Sequence, residues 1–300
     1  MGVKDLVRTS DIRQSTVIGW AWASLVANIG IILTGGLVRL TGSGLGCPTW
    51  PRCTDESFVP HSSLGWHGAI EFGNRLLTYV LIAIAIATFF AVWRWAGATT
   101  TMKQLTVLIG VGIPFQGVIG GITVLTQLNP WVVALHLLLS MGLVVAATVL
   151  LVLVRGDGGS TVDQLTRRLV LLAYGLLLIA IYLGTVVTGS GPHAGDADAP
   201  RNGLDPQFWS RIHALSVWAL VAVTLIVIWR LRGHRIQRAA WMVLAAELLQ
   251  GAIGYVQHFT GLPIGLVAAH LVGGAILLAA TTYLVLQVAP ASREHADTLT

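Results

Sequence analysis

The chain has 300 residues, of which 55% are hydrophobic and 10% charged, and its mean hydropathy is +0.76. So few polar side chains cannot cover a water-soluble globule, and with only two cysteines the same figures exclude a disordered chain, a collagen-like repeat and a disulfide-rich secreted scaffold. The formal charge of +5 is scattered between apolar runs without forming a stripe, which points to the lipid bilayer as partner and to no nucleic acid.

A bilayer core takes roughly 20 apolar residues per helical span, and eight such runs are predicted: 17–38, 65–93, 104–125, 131–154, 168–188, 208–229, 239–259 and 264–288. Continuous runs of this length are not β-barrel strands, so the fold class is all-α, a polytopic membrane protein with eight transmembrane helices. Lys4, Arg8 and Arg13 precede the first run, which resembles a signal peptide but has no small-residue cleavage site and is kept as span one. The loop that follows, 39–64, contains TGSGLGCPTWPRC with Cys47 and Cys53. Two prolines between the cysteines and too few ligands for zinc favour a disulfide, either a static clip or a redox-active pair.

Span two carries His67, Glu71, Asn74 and Arg75, whose spacing puts them on one helix face. The face is either a polar, acid-bearing pocket or the seat of an i, i+4 ion pair between Glu71 and Arg75. Span three contains Gln116-Gly117-Val118-Ile119-Gly120, span four His136, span six His213, span seven Gln250-Gly251-Ala252-Ile253-Gly254 and span eight His270. Gly117, Gly120, Gly121, Gly251, Gly254, Gly273 and Gly274 give a planar ligand or a neighbouring backbone room to approach.

The two glutamine-glycine strings lie 134 residues apart, and each is followed after 20 residues by a histidine; TGSG also occurs twice, at 41–44 and 188–191. The chain therefore reads as two four-helix-bundle repeats, 1–158 and 159–300. An even number of spans per half makes them parallel, unlike the inverted repeats of many transporters.

His67, His136, His213 and His270 follow Pro60, Pro130, Pro206 and Pro263 by 7, 6, 7 and 7 residues. If each proline opens its helix, all four imidazoles share one depth, about 10 Å below the helix starts. Ionisable groups inside a span are costly and usually functional, and neutral imidazole binds iron well. One pair per half suits axial ligation of a macrocycle; the alternative is ordinary interhelical hydrogen bonding. His61, His193, His234 and His295 read as solvated loop or tail residues, and His258, with no counterpart in the first half, as structural. With the N-terminus cytoplasmic, thirteen of the 18 Lys and Arg fall inside and four outside, while Arg75 lies within a span, so both termini are expected to be cytoplasmic.

The cysteine loop, the IEFGNR run of span two, the duplicated halves and the four histidines together resemble the heme A synthase family of membrane enzymes, in a bacterial form. The resemblance covers nearly all eight spans. It implies oxidation of a methyl group of heme O to the formyl group of heme A by successive hydroxylation, for cytochrome oxidase assembly in the cell membrane. It further implies heme b as cofactor on His213 and His270, heme O as substrate in the N-terminal half with His136 as one ligand, Glu71 as catalytic acid, and Cys47 with Cys53 as the external pair. Arg75 would pair with Glu71 or a heme propionate. Many members carry a histidine where this chain has Asn74, and asparagine is a poor iron ligand; His67, two turns away on the same face, is expected to take its place. Heme O synthase, cytochrome oxidase assembly factors and a second copy of the chain are the implied protein partners. A diheme b-type electron carrier and a heme-binding transporter or chaperone would use the same histidines, but neither needs an acidic face in one half alone.

Overall fold

The computed structural model describes residues 12–290, so Lys4, Arg8, Arg293 and His295 lie outside the described residues. Eight helices are long and apolar enough to cross a membrane. They are α1 (Gln14–Leu40), α2 (Gly65–Trp93), α3 (Thr100–Leu125), α4 (Pro130–Arg155), α5 (Gln164–Ser190), α6 (Pro206–Arg230), α7 (Gln237–Phe259) and α8 (Ile264–Gln287). Each contains one predicted run or nearly all of it, and most extend it by several polar or capping residues. Helix is the form in which a lipid-exposed segment satisfies its own backbone groups.

Several helix ends follow local chemistry. Asn129 caps α4 by accepting from Trp131 N, Pro130 fills its first position, and Gly156, at φ 68°, ends it in the left-handed region that glycine tolerates. Asp205 and Pro206 start α6 in the same way. Asp163 caps α5, accepting from Leu165 N and Thr166 N.

In the first half α1 packs on α2 and α4, and α3 closes the ring by touching both. In the second half α5 packs on α6 and α8, and α7 touches both. Helices α1 and α4 meet α8, and α4 also meets α5, so one apolar core runs across the two rings. One element was not anticipated: Ser160–Val162, in the connector between the halves, pairs in parallel with Val288–Pro290 just after α8. That strand pair joins the connector to the far end of the chain.

The proline argument holds for three helices and fails for one. His136 is the seventh residue of α4, His213 the eighth of α6 and His270 the seventh of α8, whereas His67 is the third residue of α2. Pro60 does not open α2. A 3₁₀ turn, Ser62–Leu64, intervenes; the His61 side chain accepts from Ser63 N at its start, and Gly65 follows it at φ 58°. His67 therefore sits in the first turn of its helix, and the equal spacing to proline does not set its depth.

Candidate functional site

In the second half the imidazoles of His213 and His270 face each other, with ring centroids 6.4 Å apart and planes at 81°. A metal placed between two imidazole nitrogens, with bonds of about 2 Å to each, spaces the ring centroids about 6 Å apart. His213 Nδ1 lies 3.0 Å from the Ala180 carbonyl. A backbone acceptor on one ring nitrogen fixes the tautomer that leaves the other free to ligate. His270 Nδ1 is buried without a hydrogen-bond partner. The spacing and the ring nitrogens left free thus fit a metal held between α6 and α8.

The glycines do something more local than making room for a flat ring. A Cβ on Gly184 would stand 3.5 Å from His213 Cε1, and one on Gly254 would stand 3.3 Å from His270 Cε1. These residues of α5 and α7 let each imidazole lie against a neighbouring helix. In the first half Gly120 meets His136 Cε1 in the same way, at 3.4 Å. Gly273 packs under the Gln250 amide, while Gly117, Gly251 and Gly274 have open space beside them.

The first half is arranged differently. No ring contact joins His67 to His136 among the described residues. His136 is half-buried on α4; Gln116 Nε2 donates to its carbonyl at 3.1 Å and to Ser140 Oγ at 2.8 Å, and its own Nδ1 has no partner. The His67 ring stacks against Trp66 at 3.8 Å, and its Nδ1 shares a 2.9 Å hydrogen bond with Ser43 Oγ. It lines an open cavity of about 500 Å³ together with Gly42, Gly46, Ser63 and Asp196. Asn74 faces α1, where Thr34 Oγ1 donates to its Oδ1 at 2.8 Å.

Glu71 and Arg75 form the ion pair that their spacing allows, at 2.6 Å. They also hold the cysteine loop. The second oxygen of Glu71 accepts from Cys47 N, and Arg75 donates to the carbonyls of Thr49 (3.0 Å), Arg52 (3.2 Å) and Cys47 (3.3 Å). Cys47 and Cys53 are joined by a disulfide, and both are fully buried. At one end of the loop Gly46 lies directly on the His67 carbonyl, a contact with no space for a Cβ. At its centre the Trp50 indole occupies the place a side chain on Gly121 would take, one residue from the glycine that touches His136. The loop thus reaches from the start of α2 to α3, beside the glycine that packs on His136.

One intramembrane carboxyl was missed. Glu247 on α7 is 1% exposed, accepts from Thr224 Oγ1 at 2.8 Å through Oε1, and has no partner for Oε2. Its signal was legible: with Glu71 it is one of two acidic residues inside the predicted spans, and the 134-residue offset places Ile113 at the matching position. His258 is exposed near the end of α7, whereas His193 is half-buried and not simply solvated.

Fold and site together define a polytopic helical membrane protein with a facing pair of buried histidines in one half and a clamped disulfide loop over the other. The family described as cytochrome oxidase assembly protein (COX15-CtaA) matches residues 19–203, more than half of the chain. The chain belongs to that family. It is similar to the heme A synthase of Rhodopseudomonas palustris (strain BisB5), 28% identical over 89% of each chain. Its similarity to the heme A synthase of a Bradyrhizobium strain is 26% identity over 93% of this chain and 92% of the relative, and to that of Geobacillus kaustophilus 26% over 91% and 92%.

Proposed function

We propose that the chain is a heme A synthase, a membrane oxidoreductase that converts a methyl group of heme O to the formyl group of heme A by successive hydroxylation, for cytochrome oxidase assembly. Family membership and the relatives' shared name over about nine-tenths of the chain support this reading. The observation that carries it is the facing of His213 and His270 at 6.4 Å. In this reading the two histidines hold heme b, which supplies one-electron redox chemistry when bound. Ala180, Gly184 and Gly254 orient the imidazoles.

Heme O is the substrate of the N-terminal half. His136, steadied by Gln116, and His67, whose Nδ1 is engaged by Ser43, are the residues proposed to meet its iron. Asn74 and Arg75 complete the polar face: Asn74 ties α2 to α1, and Arg75 holds the loop carbonyls that roof the site. Glu71 is proposed to move a proton or to stabilise positive charge developing on the substrate, in addition to anchoring Cys47. The orientation proposed is both termini in the cytoplasm of a bacterial cell, with the cysteine loop outside and heme O delivered by a heme O synthase.

The test is pigment extraction from cells that make heme O but no heme A, expressing this chain. The formyl-bearing heme is expected with the wild type and absent with His270→Ala. Unchanged heme O in both would leave an electron carrier or a heme chaperone as the function.

A further inference from the structure

At the outer junction of the halves, the end of α1 meets the loop after α5. Gly44 N donates to the Gly195 carbonyl at 2.8 Å, and Arg39 donates through Nε to the His193 carbonyl at 2.6 Å and through Nη2 to that of Thr188 at 2.9 Å. From the same loop Arg201 donates to the carbonyls of Ala199 at 2.5 Å and Pro192 at 2.8 Å. Because the two arginines grip the adjacent residues Pro192 and His193, their guanidinium groups are drawn to one place. With His193, Thr41 and Gly42 they line a cavity of about 330 Å³.

The charge there is not balanced by the protein. Neither arginine forms an ion pair among the described residues. Asp196 also lines the cavity, but its Oδ1 accepts from Asp198 N at 3.1 Å and it reaches neither arginine as an ion pair. A guanidinium has five N–H donors, and the loop carbonyls take two from each arginine. The remaining donors, on a half-buried Arg39 and an exposed Arg201, are not taken by protein groups among the described residues. Burial first, and then the charges of Arg39 and Arg201, push the His193 imidazole below its usual range, so it faces the cavity neutral. Arginine is suited to carboxylates because its planar donors match two oxygens at once.

Position narrows the ligand. The cavity shares Gly42, Asp196 and Ala197 with the larger one lined by His67, so an amphiphile seated at His67 has the arginines within its reach. We infer that Arg39, Arg201 and His193 form an oxyanion site that receives the propionate carboxylates of the porphyrin entering the His67 cavity. This rests on the substrate reading given above. Both arginines would act as positioning residues, setting which edge of the macrocycle turns toward Glu71.

The test uses the full chain in zwitterionic nanodiscs and metal-free protoporphyrin IX, so that histidine–iron bonds contribute nothing, with its dimethyl ester as the uncharged control. By fluorescence titration the wild type is expected to bind the free acid about tenfold or more tightly than the ester, a preference that weakens with salt. Arg201→Gln is expected to remove most of that preference without changing ester affinity, and Arg201→Lys to restore part of it. Arg39→Gln should do the same; since Arg39 also holds the loop, Arg201→Gln decides if that variant does not fold, with heme retention by His213 and His270 as the check on folding. Equal affinity for acid and ester in the wild type overturns the inference. So does an acid preference that survives in Arg201→Gln, or an arginine dependence seen only for retention of phosphatidylglycerol over phosphatidylcholine, which would assign the cluster to a lipid headgroup. Heme A formation without an acid preference sinks this inference alone; acid preference without heme A formation sinks the synthase reading alone.

Discussion

The two four-helix rings pack in the same cyclic order, yet they treat their histidines differently. In the second, Pro206 and Pro263 stand at the helix starts, so His213 and His270 arrive deep enough to face each other. In the first, a 3₁₀ turn separates Pro60 from α2, and His67 stays in the first helical turn, bonded to Ser43 beside an open cavity. A closed pair suits a group that remains; an open, loop-roofed site suits one that enters and leaves. Where a helix begins, more than which residues it contains, separates the two.

The largest effect is expected from breaking the closed pair. If His213 and His270 hold heme b as proposed, His213→Ala or His270→Ala should each remove essentially all heme absorbance from the purified protein, while His136→Ala leaves that band in place. Loss of the band with His136→Ala instead would reverse the roles of the halves.

Next comes the clamp. Glu71→Ala leaves Cys47 N without its acceptor and Arg75 without its counter-charge, though the guanidinium keeps the loop carbonyls, and loss of such a charged acceptor costs about 1–3 kcal/mol. A clear drop in the thermal unfolding midpoint is expected together with loss of heme A formation. Glu71→Gln should recover much of the stability without the activity; full activity in that variant would reduce Glu71 to a loop anchor.

A smaller effect is expected from Gly254→Ala and Gly120→Ala, whose Cβ would press on His270 and His136 at 3.3 and 3.4 Å. The first should displace the His270 imidazole and, if His213 and His270 hold heme b as proposed, shift the heme signal in electron paramagnetic resonance. The second should leave that signal untouched, because it acts on the other half.

The smallest lies where the start of α5 meets the end of α6. Hydrogen bonds from Thr166, and then the charge of Arg230, hold the Asp163 carboxyl at about 2. A depressed carboxylate contributes its stability above the ordinary range and loses it as pH falls toward 2. Asp163→Ala, which removes a helix cap, should cost about 1 kcal/mol at neutral pH. The difference from wild type in thermal unfolding should shrink as pH drops from 5 to 3, whereas the heme bands stay constant between them.

Much of this was legible in the residues. Eight apolar runs are eight helices because length and hydropathy leave a lipid-embedded backbone few alternatives. Cys47 and Cys53 form the bridge that their spacing and two prolines favoured. The depth of His67 was not legible, since the 3₁₀ turn before α2 depends on how Gly46 and Gly68 let the loop settle onto the helix. Nor was the double duty of Glu71: spacing reports the partner four residues away, while Cys47 N comes from a loop 24 residues upstream. The arginine cluster was hidden for the same reason, because its members come from segments about 150 residues apart and meet through carbonyl groups that every residue has.

The short parallel pairing of Ser160–Val162 with Val288–Pro290 shows to which half the connector belongs. A polypeptide beginning just ahead of Ser160 would carry both strands and close upon itself, whereas its complement would end at α4 with no such fastening. Because α8 also packs on α1 and α4, cleavage there should leave two fragments that stay together, with the strand pair fastening the new amino terminus to the carboxy-terminal piece.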